Sequence, residues 1–380
     1  MKFLMISSFL PSVLNFRGKL LEVIAQQGIE IHIFAPDLKD FAEEKTKLES
    51  LGYFVYDIPM QRTGTNPAAD LKTLSAIYRL IKQIKPDYVL SYTIKPVIYG
   101  TLAAWMAKVP QRFALITGLG YAFQNVDAQS KRSIFQKLVH GLYQQALSHS
   151  HKTFFQNPDD LKLFQNLKLI DQQAPAVVVN GSGVNVSDFN VLPLPLDHKQ
   201  QPKISFLLIA RLLVDKGVRE YAAAAKKITA QYPNVEFHLV GWIDDNPAAI
   251  TQAELDTWVN NKILNYWGKL SDVRPAIAAS SVYVLPSYRE GTPRTVLEAM
   301  AMGRAIITTD APGCRETVVH GQNGFLVDVK SVDSLVTAMQ AFVQRPELIQ
   351  QMGQQSRQIA LDKYDVHQVN QHMMQEMGLI

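Results

Sequence analysis

Short apolar, β-branched runs alternate along the chain with amphipathic stretches of helical length. In the first half "KFLMIS", "EIHIFA", "YFVYDI", "DYVLSY" and "RFALIT" alternate with patterns such as "FRGKLLEVIAQQG". In the second half "ISFLLIA", "EFHLVG", "VYVLPS", "AIITT" and "GFLVD" alternate with "VREYAAAAKKITAQYP", "RTVLEAMAMG" and "SVDSLVTAMQAFVQRP". Continuous apolar strands separated by helices predict parallel sheets covered on both faces, an α/β class. Between the halves, "DFNVLPLPLDHKQQPK" has little periodicity and three prolines before Lys203, a linker signature. The pattern predicts two doubly wound, Rossmann-like domains, 1–187 and 203–360, joined by a linker at 188–202 and facing each other across a cleft. Residues 361–380 read as helix without strand, either capping the second domain or packing back on the first.

Composition narrows the class. At 380 residues the chain exceeds one ordinary core. Hydrophobic content of 47% with 19% charged residues is that of a folded globular protein. A net charge of +4 suits an anionic ligand or a membrane surface and is too small to argue for nucleic acid. The single cysteine, Cys314, excludes an internal disulfide framework and a Cys-rich metal site, and reads as a buried, inert thiol. The opening "MKFLMISSFLPS" is too short for a signal-peptide core, and no window supplies the about 20 apolar residues that span a bilayer. The expectation is a cytoplasmic protein with peripheral membrane contact at most.

Ligands of doubly wound sheets sit outside the carboxyl ends of the strands, which selects the loops that matter. In "SVYVLPSYREGTPRTVLEAMAMG" the run Val282–Leu285 reads as a strand and residues 286–291 as the loop leaving it. Thr292 stands where an N-cap belongs and Pro293 at the first helical position. Arg294 to Met302 continue as helix, and Gly303 stops it. The N–H groups of Arg294, Thr295 and Val296 then face outward at the positive end of the helix dipole, a phosphate site. Glu290, beside Gly291 in the loop, and Glu298, more than a turn inside, flank it. Carboxylates accept hydrogen bonds from vicinal hydroxyls, so the spacing fits a diphosphate with a ribose at one end and a sugar at the other. The plain alternative makes Glu290 a solvated loop acid and Glu298 a surface residue. In "KISFLLIARLLVDKG", Arg211 and Lys216 follow a strand's carboxyl end, placed to neutralise a diphosphate or to serve as ordinary surface cations. No Asp-x-Asp triplet and no Walker sequence occurs. "TGLGYAF" and "NGSGVNV" lack the third glycine of a dinucleotide fingerprint.

The stretches "ARLLVDKG", "PSYREGTPRTVLEAMAMGRAIITTDAPGCRETVVHGQNGFLV" and "GSGVNVSDF" resemble the retaining glycosyltransferases of family 4, with the GT-B fold. The likeness covers the whole second half and, more loosely, the first. It implies that Arg211 and Lys216 hold the donor diphosphate, that Glu290 touches the transferred sugar and that Glu298 binds the ribose. It places "KILNYWGKLSDVRPAIAAS" beside the nucleotide base, with backbone around Gly268 reading uracil and Trp267 either there or in the core. It further implies a UDP-sugar donor, no required metal or other cofactor, and front-side displacement by the acceptor hydroxyl. "EGTPR", "SYTIKPVIYG" and "ITGLGYAF" resemble bacterial enzymes that add galactose-type or N-acetylhexosamine residues to lipid-linked oligosaccharides. That implies a saccharide on undecaprenyl diphosphate as acceptor. A nucleotide-sugar epimerase or hydrolase of the same fold, or a non-catalytic nucleotide-sugar-binding protein, would use the same motifs.

The first half departs from the family. Where relatives carry adjacent glycines after the first strand, "SFLPSVLNFRGKLLEVI" offers Asn15, Phe16 and Arg17 with one glycine, Gly18. Arg17 either greets an anionic acceptor or lies on a helix surface. Where many relatives carry a histidine, "VLSYTIKPVIYG" has Thr93 and Lys95, the latter meeting a phosphate or standing idle. "AQSKRSIFQKLVHGLYQQALSHSHK" reads as a helix with Ile134, Phe135, Leu138, Leu142 and Leu147 on one side, lying on a membrane or packed on its own sheet.

Overall fold

Strand β1 (Lys2–Ile6) is buried from Phe3 to Ile6, with Phe3 and Met5 in one core layer and Leu4 and Ile6 in another. A strand apolar on both faces needs helices on both, and its connections supply them. The computed structural model describes residues 1–61, 66–119, 123, 134–196, 200 and 203–380. They form two units, Met1–Ser182 with Val369–Ile380, and Gly183–Gln368.

In the first unit β1 is followed by α1 (Leu10–Ala25), β2 (Glu30–Ala35), α2 (Ala42–Ser50), β3 (Phe54–Asp57), α3 (Pro67–Ile84) and β4 (Tyr88–Tyr92). A π-helical turn, Pro96–Gly100, leads into α4 (Thr101–Met106) and β5 (Gln111–Ile116). Then come α5 (Ile134–Leu147), β6 (Lys152–Phe155), α6 (Pro158–Asn166) and β7 (Ala176–Val178). The strands are parallel in the order β3-β2-β1-β4-β5-β6-β7, so the direction of winding reverses between β1 and β4. Strands β6 and β7 were not expected from the sequence, because runs of four and three residues carry little pattern.

The second unit runs β8 (Ser205–Ile209), a 3-10 turn at Val214–Lys216, α7 (Val218–Gln231), β9 (Glu236–Val240), α8 (Gln252–Asn260), β10 (Asn265–Tyr266), α9 (Arg274–Ala278), β11 (Val282–Leu285), α10 (Arg294–Ala301), β12 (Ala305–Thr309), β13 (Gly324–Val327), α11 (Val332–Gln344) and α12 (Glu347–Lys363), and α13 (Val366–Met377) begins there and continues into the first unit from Val369. Its order, β10-β9-β8-β11-β12-β13, reverses between β8 and β11.

One expectation shifts and two open alternatives are decided. The first is the domain boundary, at 182/183 rather than 187, because Val184 N–H donates to Tyr364 O at 2.8 Å and Val366 N–H to Val184 O at 3.0 Å. The segment read as a linker is held by the second unit. Arg304, 1% exposed, donates to Leu192 O at 2.8 Å and Pro193 O at 3.2 Å, and Arg357 to Val186 O and Phe189 O, both at 3.1 Å. Linker residues 197–199 and 201–202 lie outside the described residues. The second concerns α13, whose Met373, Met374 and Met377 join the first unit's core, while Lys152 meets Glu376 at 2.6 Å. The third is the buried side of α5, which carries His140, Tyr143, Ala146 and Leu147; Leu138 is 57% exposed. Tyr143 packs edge-on against Phe164, docking the helix on its own sheet. Residues 128–133 of that stretch, and Gly120 to Ala122 of "ITGLGYAF", lie outside the described residues. Among the described residues no helix is long and apolar enough to cross a membrane.

Candidate active site

At the reversal point of the second unit, the loop after β8 and the loop after β11 touch through their backbones. Gly217 closes the 3-10 turn with φ +70°, and a Cβ there would lie 2.2 Å from Pro286 O, so no other residue fits without movement. Tyr288 N–H donates to Asp215 O at 2.8 Å and Ser287 Oγ to the same oxygen at 3.1 Å. This lacing brings Lys216 Nζ to Glu290 Oε1 at 2.6 Å, with side chains only 15% and 17% exposed. Burial pulls the Lys216 ammonium down, but the Glu290 carboxylate, aided by Asp215, outweighs it and the group sits above its ordinary value. The loop after β12 supports the other side. Glu290 N–H donates to Pro312 O at 2.9 Å, and a Cβ on Gly313 would fall 2.1 Å from Glu290 O. Cys314 is buried beneath, its thiol pushed up to about 12 by burial and by Glu290, as expected of an inert group.

The helix start differs in register from the expectation. Pro293, not Thr292, is the N-cap residue, and no side chain caps the helix. Val296 N–H donates to Pro293 O at 3.1 Å, which removes it from the phosphate-facing set. Thr295 Oγ1 accepts from Tyr283 Oη at 2.6 Å, and that hydroxyl also reaches Ile209 O at 3.1 Å, tying the helix start to the end of β8. Glu298 is 8% exposed, not a surface residue, and takes Arg294 Nε at 3.0 Å. Burial raises its carboxyl above the ordinary value, with Arg294 acting the other way.

Arg211 pairs with Asp244 at 3.1 Å. Gly268 follows β10 with φ +71°, its carbonyl accepts Gly241 N–H at 2.9 Å, and a Cβ there would meet nothing within 4 Å. Trp267 is 37% exposed, which removes it from the core, and donates to His238 Nδ1 at 3.2 Å. Among the described residues no three of His, Cys, Asp and Glu gather as a metal-holding group.

The reversal point of the first unit is lined by hydroxyls. Ser12 Oγ lies 2.7 Å from Tyr92 Oη and Ser7 Oγ 2.9 Å from it. Thr93, at the carboxyl end of β4, has φ +70° and holds Ser8 Oγ at 2.8 Å. Lys95 is paired: its Nζ meets Asp70 Oδ1 at 2.7 Å, and Tyr99 Oη donates to Asp70 Oδ2 at 2.9 Å. The early proline, Pro11, starts α1 at Leu10, so Asn15, Phe16 and Arg17 are helical and not part of a loop. Asn15 and Phe16 are exposed, whereas Arg17 is 3% exposed with its guanidinium 5.7 Å from the Tyr92 ring centre, which excludes the helix-surface alternative.

Sequence reasoning missed Asp70, Tyr99, Asp215, Asp244 and Tyr283. Only Asp70 left a signal, an acid in the first turn of a helix with Asn66 as its N-cap.

Both halves of the chain have known relatives. Residues 203–345 match the family model described as glycosyl transferases group 1, and residues 12–157 that described as glycosyl transferase 4-like. The chain is 28% identical over 371 residues to the N,N'-diacetylbacillosaminyl-diphospho-undecaprenol alpha-1,3-N-acetylgalactosaminyltransferase of Campylobacter jejuni, covering 96% of this chain and 94% of that one. It is 27% identical over 334 residues to the UDP-Gal:alpha-D-GlcNAc-diphosphoundecaprenol alpha-1,3-galactosyltransferase of Escherichia coli, covering 84% and 81%. Among solved structures, sucrose-phosphate synthase from Thermosynechococcus elongatus superposes with a TM-score of 0.78 at 17% identity, over 99% of this chain and 98% of that one. Anabaena HepE in complex with UDP gives 0.75 at 17% identity over the full length of both.

Proposed function

We propose, for a chain that belongs to the glycosyl transferase group 1 and glycosyl transferase 4-like families and has the GT-B fold, the following reaction. The protein moves galactose, N-acetylgalactosamine or N-acetylglucosamine from a UDP-sugar to a saccharide on undecaprenyl diphosphate. It retains configuration at the sugar and needs no metal. The acceptor is embedded in lipid, so the enzyme works in the cytoplasm in peripheral contact with the inner membrane face. The observation that carries this reading is the Lys216–Glu290 contact of 2.6 Å beside a helix start whose far flank is the buried Glu298. Both curated relatives described above are named for diphospho-undecaprenol substrates, one of them for UDP-Gal, which supports the acceptor and donor classes.

In this mechanism Lys216, Arg211 and the helix start at Arg294–Val296, through the N–H groups of Arg294 and Thr295, meet the charge that builds on the departing diphosphate. Glu290 holds Lys216 in place and accepts from hydroxyls of the donor sugar, with Gly291, Thr292 and Pro293 shaping the wall. Glu298 accepts from the ribose hydroxyls, and backbone near Gly268 reads the base. The bond from the sugar C1 to the phosphate oxygen breaks while the acceptor oxygen bonds to C1 on the same face. The acceptor proton passes to the departing phosphate oxygen, so no enzymic nucleophile is needed.

The test is incubation with UDP-sugars and saccharyl diphospho-polyprenols in the presence of EDTA. Free UDP with an extended acceptor of unchanged anomeric configuration is the expected result. An isomerised donor, or binding without turnover, would replace transfer by an epimerase or a non-catalytic role. Loss of turnover in EDTA alone would refute metal independence.

A further inference from the structure

The first unit holds a polar cluster that the donor chemistry leaves unused. Asp70 sits in the first turn of α3, and Lys95 three residues beyond the end of β4, both at the carboxyl edge of the sheet where its winding reverses. Ligands of doubly wound sheets bind at that place. The side chains of Lys95 and Asp70 are 12% and 15% exposed, largely desolvated but still reached by solvent. Their hydrogen bonding is half used. A carboxylate offers about four lone-pair sites, and Asp70 receives one bond on each oxygen, from Lys95 and from Tyr99. Each oxygen keeps room for one more donor. Lys95 gives one of its N–H donors to Asp70, and no second protein acceptor for it occurs among the described residues.

The backbone marks the same spot. Thr93 is the only β-branched residue with positive φ among the described residues, and its hydroxyl is held by Ser8. A β-branched side chain in that region is strained, a state found where the surrounding structure enforces a turn for function. Here the turn aims Lys95 at α3.

We infer that Asp70, Lys95 and Tyr99 form the recognition site for the acceptor saccharide, Asp70 accepting hydrogen bonds from two adjacent sugar hydroxyls and Lys95 donating to a neighbouring oxygen. The inference rests on the transferase reading above and adds the residues that choose the acceptor.

The test uses the full chain, UDP-sugar at saturation, and the saccharyl diphospho-polyprenol that the wild-type protein extends best. Asp70→Asn is expected to raise acceptor KM roughly ten- to a hundredfold, the scale of hydrogen bonds to a charged group. Donor KM and acceptor-independent UDP release stay within twofold. An acceptor lacking one of the two hydroxyls costs the wild type a similar factor and adds little to Asp70→Asn. If the pair merely braced α3, Asp70→Asn with Lys95→Met would recover what the single changes lose; the inference requires the double variant to stay impaired. Should Asp70→Asn fail to fold, Tyr99→Phe, which removes no charge, must still raise acceptor KM and leave donor KM alone. Unchanged acceptor KM, or an equal rise for donor and acceptor, overturns the inference and leaves the transferase reading standing. A wild-type protein that extends no saccharide overturns both.

Discussion

Each unit carries a lysine–carboxylate contact beside the reversal point of its sheet, Lys216–Glu290 at 2.6 Å in the second and Lys95–Asp70 at 2.7 Å in the first, with similar burial. Their surroundings differ. In the second unit three glycines let backbone meet backbone: a Cβ would lie 2.2 Å from Pro286 O at Gly217, 1.9 Å from Ala210 O at Gly241 and 2.1 Å from Glu290 O at Gly313. In the first, side-chain hydroxyls of Ser7, Ser8, Ser12, Tyr92 and Thr93 line the loops, and the nearest atom to a Cβ on Gly18 is 4.0 Å away. Close backbone presents N–H groups to a phosphate, whereas hydroxyls and a half-satisfied carboxylate suit a neutral saccharide. The two pairs are alike in geometry, and in the proposed reaction the loops around them set the ligand.

The comparison breaks most readily at the lysines. Lys216→Met should lower kcat by roughly 10²–10³ if it meets the leaving-group charge. Lys95→Met should leave kcat within about tenfold, on the scale of a single lost hydrogen bond, and raise acceptor KM. Both should lose about 3–5 kcal/mol in urea unfolding, since each leaves a buried carboxylate without its cation. Equal kcat losses in steady-state kinetics would erase the distinction between the sites.

A smaller effect is expected at the glycines. Gly217→Ala should destabilise the second unit by about 2–3 kcal/mol, through the clash with Pro286 O and the positive φ. Gly18→Ala, inside α1 with open space around it, should instead stabilise by about 0.5–1 kcal/mol with activity kept. Loss of activity in Gly18→Ala would restore the phosphate approach that this helix replaces.

Glu298 sharpens the comparison further. Folding raises its pKa, so the buried acid favours the folded state only while protonated and disfavours it as pH rises through the folded value. At neutral pH Glu298→Gln should therefore raise the melting temperature by about 1–3 °C, the scale of a sub-kcal/mol gain in a domain of this size, while donor KM increases. A lower melting temperature, or an unchanged donor KM, would remove the ribose role.

Local pattern carried a large part of the fold. The parallel α/β class was readable because strands buried on both faces, such as β8 (Ser205–Ile209), are uninterrupted apolar runs. The loop–helix junction at 286–294 was readable because Gly and Pro restrict the backbone wherever they stand, although its register moved by one residue. Strand β10 left no pattern, being two exposed residues. The family resemblance singled out Lys216 and Glu290 by position, but not that they touch.

Periodicity and turn chemistry are properties of neighbouring residues, so the sequence by itself determined the alternation of strands and helices, the division into two sheets and the loops at the carboxyl ends of the strands. Side-chain partners are set by strand order. Lys216 finds Glu290 across 74 positions, and Lys95 finds Asp70 across 25, because β8 adjoins β11 and the helix before β4 packs beside the turn after it. The same holds for Arg17, which the sequence left between surface and site and the Tyr92 ring placed indoors. Burial of an ionic group depends on what the rest of the chain lays over it, and only the tertiary structure decided that.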